Sequence, residues 1–195
     1  IVIGHVGQAR NTPDYYKLEV MDTLLGGKFT SRINMNLRED KGFTYGAKSM
    51  FILRKAEGPF LAYAQVHGEH TAESVFELMK ELRGIRGEIP VTAEELKDTK
   101  DNLILGYPRE FETIGNIANK IAELVIYDLP RDTLERYIPG IESVSAEDVM
   151  EAAQKHIRPD ELLIVVLGDR KKIEPGLREL KLGEIGYLDG EGNQV

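Results

Sequence analysis

Apolar residues along this chain recur at two different spacings, and the points where the spacing changes divide it into elements. Residues 1–6, Ile-Val-Ile-Gly-His-Val, are rich in β-branched side chains and read as a strand. Asn11-Thr12-Pro13 then offers a capping side chain with proline at the first helical position, where its missing N–H does no harm. In the helix that follows, Leu18, Met21 and Leu25 share a face, and Gly26-Gly27 is expected to stop it by supplying a left-handed terminal residue. A second, shorter helix, capped by Thr30 or Ser31, places Ile33 and Leu37 on one side, carries Arg38 near its end and stops at Gly42.

From Thr44 the period is two, with Tyr45, Ala47, Ser49 and Phe51 on one side and Lys48 and Arg54 on the other. Residues 54–59 form a turn-rich connector, and Phe60, Ala62, Ala64 and Val66 alternate again, so the two runs predict an antiparallel hairpin ending near His67. Helical spacing then dominates. Thr71 precedes Val75, Phe76, Met79 and Leu82; a capping box at Thr92-Ala93-Glu94-Glu95 precedes Leu96, Leu103 and Ile104. After Pro108, the positions Ile114, Ile117, Ala118, Ile121 and Val125 define a strongly amphipathic helix, and a cap at Ser145 leads into Val149, Ala152, Ala153 and Ile157. The unbroken run Leu162–Leu167 has strand length and predicts a strand covered on both faces, closed by Gly168-Asp169. Elements segregated in this order favour an α+β fold with a mixed, mostly antiparallel sheet covered by helices. No repeat or low-complexity linker divides the chain, so residues 1–195 are taken as a single domain.

Composition narrows the function more than the fold. With 42% hydrophobic and 30% charged residues the chain has enough apolar surface to build a core, which excludes a disordered segment. A formal net charge of -8 removes the clustered cations that sequence-independent phosphate binding requires, so nucleic acid is not an expected partner. Arg170-Lys171-Lys172, the densest basic run, reads as a solvated turn where a helix begins. The absence of cysteine excludes disulfides, thiolate metal sites and cysteine nucleophiles while leaving the compartment open. No apolar run approaches the roughly 20 residues of a membrane span, so no membrane partner is expected. The sequence opens on Ile1 inside a strand pattern, as a piece of a longer protein or a mature form would, and an upstream domain is expected.

Catalytic motifs are missing. His67-Gly68-Glu69-His70 superficially offers two imidazoles beside a carboxylate, but it sits at a strand end and includes glycine, so the side chains share no helical face; a surface connector is expected. His5 lies in the first strand, and His156 is near a helix C-terminus, where an imidazolium can meet exposed carbonyls; both read as structural. There is no Gly-x-Ser-x-Gly elbow, no Walker loop and no dinucleotide fingerprint. No catalytic residue, bound metal or cofactor is therefore assigned to this chain.

One arrangement is more specific. Leu24-Leu25-Gly26-Gly27-Lys28-Phe29-Thr30-Ser31-Arg32 is followed by Leu37-Arg38-Glu39-Asp40-Lys41-Gly42-Phe43-Thr44-Tyr45. With Ile126–Pro130, Ile141–Val149 and the run Ile164–Asp169, these segments resemble the later, zinc-free domains of the pitrilysin/insulinase metallopeptidases, a family that includes the mitochondrial processing peptidases. The resemblance implies a clam-shell protease in which one half supplies an inverted zinc motif, His-x-x-Glu-His, and another half faces it across a closed chamber. That motif is absent here, so zinc is expected in a partner domain or subunit of the same family, with unfolded peptide as the shared substrate. In many members the facing half contributes an Arg and a Tyr seven positions apart, which Arg38 and Tyr45 match. A guanidinium and a phenol can both donate to a peptide carbonyl or to the oxyanion forming on it. Two alternatives stay open: a proteolytically inactive scaffold or assembly subunit, and a peptide-binding module whose hairpin edge accepts a strand. Peptide identity, cleavage preference and the homodimeric, heterodimeric or fused nature of the parent are not legible.

Overall fold

Strand periodicity and helix periodicity meet in two layers. The computed structural model describes residues 1–195. Its sheet has the order β2-β3-β1-β4, from β1 (Val2–Val6), β2 (Thr44–Phe51), β3 (Pro59–Val66) and β4 (Leu163–Val165), and every neighbouring pair is antiparallel. Ile3, Ala47, Phe60, Ala62 and Ala64 point to one face and are buried. Against that face lie α1 (Tyr15–Asp22), α3 (Thr71–Arg83) and α7 (Ala146–His156), whose Leu18, Met21, Val75, Leu78, Leu82, Val149 and Ala153 complete the core. Each of the leucine, methionine and valine side chains contributes about 1.5–3 kcal/mol on leaving water, more than the helix propensity of an ordinary residue, so tertiary burial rather than local preference holds these helices.

The opposite face carries no helix of this chain. Val2 and Val6 on β1 and Leu163 and Val165 on β4 stay exposed there. The expectation that Leu162–Leu167 is covered on both sides is therefore corrected: the run yields a three-residue edge strand, and Leu167 is 97% exposed. A short apolar run has no periodicity with which to report how many of its sides are covered.

Helix starts follow their caps unevenly. At α4 (Ala93–Gly106) the Thr92 hydroxyl accepts from the Glu95 N–H while the Glu95 carboxylate accepts from the Thr92 N–H, and Ser145 and Asp148 reciprocate in the same way at α7. At α1 the first helical residue is Tyr15, two beyond Pro13, with Thr12 accepting from the Asp14 N–H. Ser31 stands before α2 (Arg32–Asn34) with no capping bond, its hydroxyl buried and unpaired. His70 rather than Thr71 precedes α3, and Phe76 faces outward. The amphipathic helix forms as α5 (Ile114–Ile126), yet Ile114, Ile117, Ile121 and Val125 all stay exposed. After α6 (Tyr137–Ser143), Asp169 caps α8 (Arg170–Glu179), so the basic run forms the first turn of that helix.

Gly26-Gly27 does not act as a left-handed stop, since neither glycine has positive φ. The chain instead continues from α1 as a π-helical turn, Thr23–Gly27, that drives Gly26 against β2: a Cβ there would lie 2.1 Å from the Ser49 amide nitrogen. Beside this contact the Ser49 hydroxyl donates to Asp22 Oδ1 at 2.6 Å, and the Phe51 N–H donates to Asp22 Oδ2 at 3.3 Å. Burial pushes the Asp22 carboxyl up to about 7. A folded-state pKa above the unfolded one means that the native protein binds the extra proton, so this group lowers stability as pH rises between its ordinary value and about 7. Asp22→Asn is expected to flatten that dependence by up to about 1.4 kcal/mol per pH unit relative to wild type. Urea midpoints of both proteins from pH 4 to pH 8 check this; parallel curves would contradict it.

His156 is placed differently from the expectation that it meets helix-end carbonyls. It is 4% exposed, and its Nε2 lies 2.7 Å from Asp14 Oδ2, joining the last turn of α7 to the start of α1. His5 accepts from the Arg158 N–H at 3.3 Å and lies against Phe60, as a structural histidine would.

Candidate substrate-contact site

The sequence alternation places Tyr45 with Ala47 and Ser49, and the structure corrects this. The pairing of β2 with β3 slips between Thr44 and Ala47, an extra residue in one strand. Thr44 is buried beside Ala47 and Ser49, whereas Tyr45 is 91% exposed. Two side chains secure the bulge. The Thr44 hydroxyl lies 2.5 Å from the Gln65 carbonyl and accepts from the Gly46 N–H at 3.1 Å, and Asn34 Oδ1 accepts from the Ala47 N–H at 3.1 Å.

Asn34 also donates to the Phe29 carbonyl at 2.7 Å, so a single buried amide links the loop after Gly27 to the bulged strand. From α2 the helix runs on as a π-helical turn, Met35–Asp40, which turns Asn36 inward and Arg38 outward. Asn36 donates to Glu77 and Glu81 on α3 at 2.9 and 2.7 Å, and Lys41 and Lys80 reach the Glu77 carboxylate at 3.3 and 3.1 Å. Arg38 lies over the ring of Phe29 at 4.6 Å and pairs with its neighbour Glu39 at 3.2 Å. Its carbonyl accepts from Gly42, which has φ +68, and the Phe43 N–H returns to the Leu37 carbonyl; this tight turn delivers the chain into β2.

Arg38 and Tyr45 are thus both solvent-facing, on a helix end and the strand that follows it. No hydrogen bond joins their side chains, and neither lines the cleft between α1, α4, α5 and α6. The residues that sequence reasoning missed are Phe29, an exposed aromatic beneath the guanidinium, and Asn34. The latter had a faint signal: asparagine is a poor helix-interior residue, and its presence in a helix between Ile33 and Met35 suits a side chain with a tertiary partner. Asn34→Ala leaves the Ala47 N–H and the Phe29 carbonyl without their partner, so a loss of about 2 kcal/mol is expected. Urea unfolding measures the loss, and NMR shifts of Tyr45 report whether the bulge relaxes; an unchanged midpoint would rule out the clamp.

The donor set does not suit a catalytic metal. No three His, Cys, Asp or Glu side chains lie together in a metal-binding group. Gly68–His70 forms a short 3₁₀ turn in which His70 stacks on Phe43 at 4.3 Å, between Glu69 and Glu73 at 3.7 Å each, and His67 is exposed. No helix of the chain is long and apolar enough to cross a membrane.

The chain is thus an α+β domain with one antiparallel sheet backed by helices and no cluster of metal-ligating side chains. Comparison with known proteins gives the class its name. Residues 1–103, more than half of the chain, match the family model described as the peptidase M16 inactive domain, and the chain belongs to that family, the pitrilysin/insulinase metallopeptidases. Among curated proteins it is 25% identical over 159 residues to the "Non-peptidase homolog YmxG" of Helicobacter pylori, covering 82% of this chain and 37% of that protein. It is 22% identical over 151 residues to the "Uncharacterized zinc protease YmxG" of Bacillus subtilis, covering 77% and 37% respectively. The chain therefore spans well under half the length of these relatives. Among solved structures, the peptidase M16 inactive domain from Pseudomonas fluorescens superposes with TM-score 0.76 at 26% identity, over 83% of this chain and 38% of that one.

Proposed function

We propose that this chain is the substrate-positioning domain of a zinc metallopeptidase, working opposite a His-x-x-Glu-His domain or subunit of the same family that supplies the metal and the water. Arg38 and Tyr45 hold the carbonyl of an unfolded peptide, donating to its oxygen as negative charge develops there. The observation that carries this reading is the bulge, which turns an aromatic residue out of the sheet and leaves it 91% exposed, on the strand that directly follows the half-buried Arg38. Exposing a tyrosine ring so fully forgoes the burial that aromatic strand residues ordinarily contribute. A parent protein with a further domain of this family fits the 37% share of the curated relatives that the chain spans.

A second reading, a scaffold subunit that keeps the fold without proteolysis, is favoured by the description of the Helicobacter relative as a non-peptidase homolog. The two are separated by adding the purified chain to its zinc-bearing partner and measuring cleavage of an unstructured peptide. Cleavage that depends on the chain supports positioning; assembly of the two with no gain in cleavage supports the scaffold.

A further inference from the structure

Polar contacts hold the loop between Gly27 and α2 against the first turns of α4. Lys28 and Thr30 both donate to the Asp98 carboxylate, the hydroxyl at 3.3 Å. Arg32, at the start of α2, donates to the two oxygens of Glu95 at 2.8 and 3.0 Å and to two backbone carbonyls at 2.9 and 3.0 Å. The side chains of Lys28 and Arg32 are only 8% and 9% exposed, so the loop is fixed on both sides of Phe29. The carbonyl of Phe29 is itself held by Asn34 at 2.7 Å. Its ring is nevertheless turned outward, with the residue 57% exposed, so burial accounts for little of what this loop builds.

What the ring meets is Arg38. The guanidinium carbon lies 4.6 Å from the ring centroid, within the range of a cation–π contact, and Nε lies 3.2 Å from Glu39 Oε1. A planar group touched on its face by a ring and at Nε by a carboxylate has both its plane and its direction within that plane set. No hydrogen bond inside the chain holds its two Nη nitrogens, which are left to donate outward.

We propose that Phe29 is a positioning residue for Arg38: the clamped loop presents its ring as a platform that holds the guanidinium flat, with the Nη edge aimed at the peptide carbonyl, a role that rests on Arg38 being the donor to that carbonyl. A long side chain that must be ordered as the reaction proceeds is a poorer donor than one already in place. The contact is at the surface, where a cation–π pair corresponds to a factor of about two to five in the occupancy of the aimed rotamer. The expected effect is therefore modest, and it falls on kcat.

Phe29→Leu keeps an apolar side chain and removes the ring, whereas Phe29→Trp keeps a ring. In the assembled enzyme Phe29→Leu is expected to lower kcat about two- to fivefold with KM little changed and the melting temperature within about 2 °C, and Phe29→Trp to restore kcat. Placed in Arg38→Ala, Phe29→Leu is expected to have no further effect, because its action passes through the guanidinium. On the chain alone, the order parameter of the Arg38 Nε–H is followed by NMR. It is expected to fall in Phe29→Leu toward that of Arg131, an exposed arginine, and to be kept in Phe29→Trp. Wild-type kcat in Phe29→Leu while Arg38→Ala is impaired, or an unmoved order parameter, would overturn the assignment. So would a loss that persists in the Arg38→Ala background, the mark of a ring touching the peptide directly. Wild-type kinetics for Arg38→Ala would instead remove the carbonyl role and with it the purpose given to Phe29, while the NMR measurement, which needs no substrate, still decides whether the ring orders the guanidinium.

Discussion

Arg38→Ala is expected to lower kcat/KM for peptide cleavage by the assembled enzyme about 10²–10³-fold, the usual loss when one preorganised oxyanion donor is removed. The side chain is half-buried and its partners, Glu39 and the ring of Phe29, are themselves exposed, so removing it leaves no buried group unsatisfied and the melting temperature is expected to stay within about 2 °C. Arg38→Lys keeps the charge and loses the planar fork that lies over Phe29, so partial activity is expected from it. Tyr45→Phe removes only a donor from a ring that packs on nothing, and about tenfold is expected there. A fall in kcat with KM unchanged would place both groups on the transition state; a rise in KM alone would place them on the bound peptide. Wild-type kinetics for both single variants would remove the role assigned to them.

Gly26→Val is expected to cost about 3 kcal/mol or more, since the new Cβ would lie 2.1 Å from the Ser49 amide nitrogen and 2.5 Å from its hydroxyl, and neither a strand backbone nor the Asp22 hydrogen bond can give way freely. In a chain of this size that corresponds to a fall in melting temperature of about 6–12 °C. Gly27→Ala is the informative control. Its Cβ would meet the Asp22 carbonyl oxygen at 3.3 Å and the Thr23 hydroxyl at 3.5 Å, with no positive φ to lose, and a change within about 1 kcal/mol is expected. A left-handed helix stop would reverse the ranking. Thermal melts of the two variants settle which account of the glycine pair is right.

That pair also shows where sequence reading stops. Two successive glycines ending an amphipathic run carry the composition of a helix terminus, and nothing in the local pattern says that a strand more than twenty residues on will press against the first of them. Where the information is local, it was legible: the Thr92 and Ser145 caps, the hairpin pairing Ala47 with Ala64 and Phe51 with Phe60, and the helix at Ile114–Ile126 all follow from spacing and side-chain type. Which face of α5 or β4 is covered depends on what packs there, and a run of isoleucines is written identically in either case. The site divides along the same line. Arg38 and Tyr45 are proposed from a motif, while Phe29 and Asn34 touch their partners through space, one beneath the guanidinium and the other bracing the bulge, and neither contact leaves more than a faint mark on the sequence.

The direction of the phenol at Tyr45 is finally a matter of parity. Side chains on a strand point alternately up and down, so one supernumerary residue between Thr44 and Ala47 reverses the assignment of the residue inside it and leaves Ala47, Ser49 and Phe51 undisturbed. The orientation of this ring is set by an odd or even count of peptide units, with no pocket of its own to seat it. Swapping one amino acid for another leaves that count alone; only losing or gaining a residue changes it.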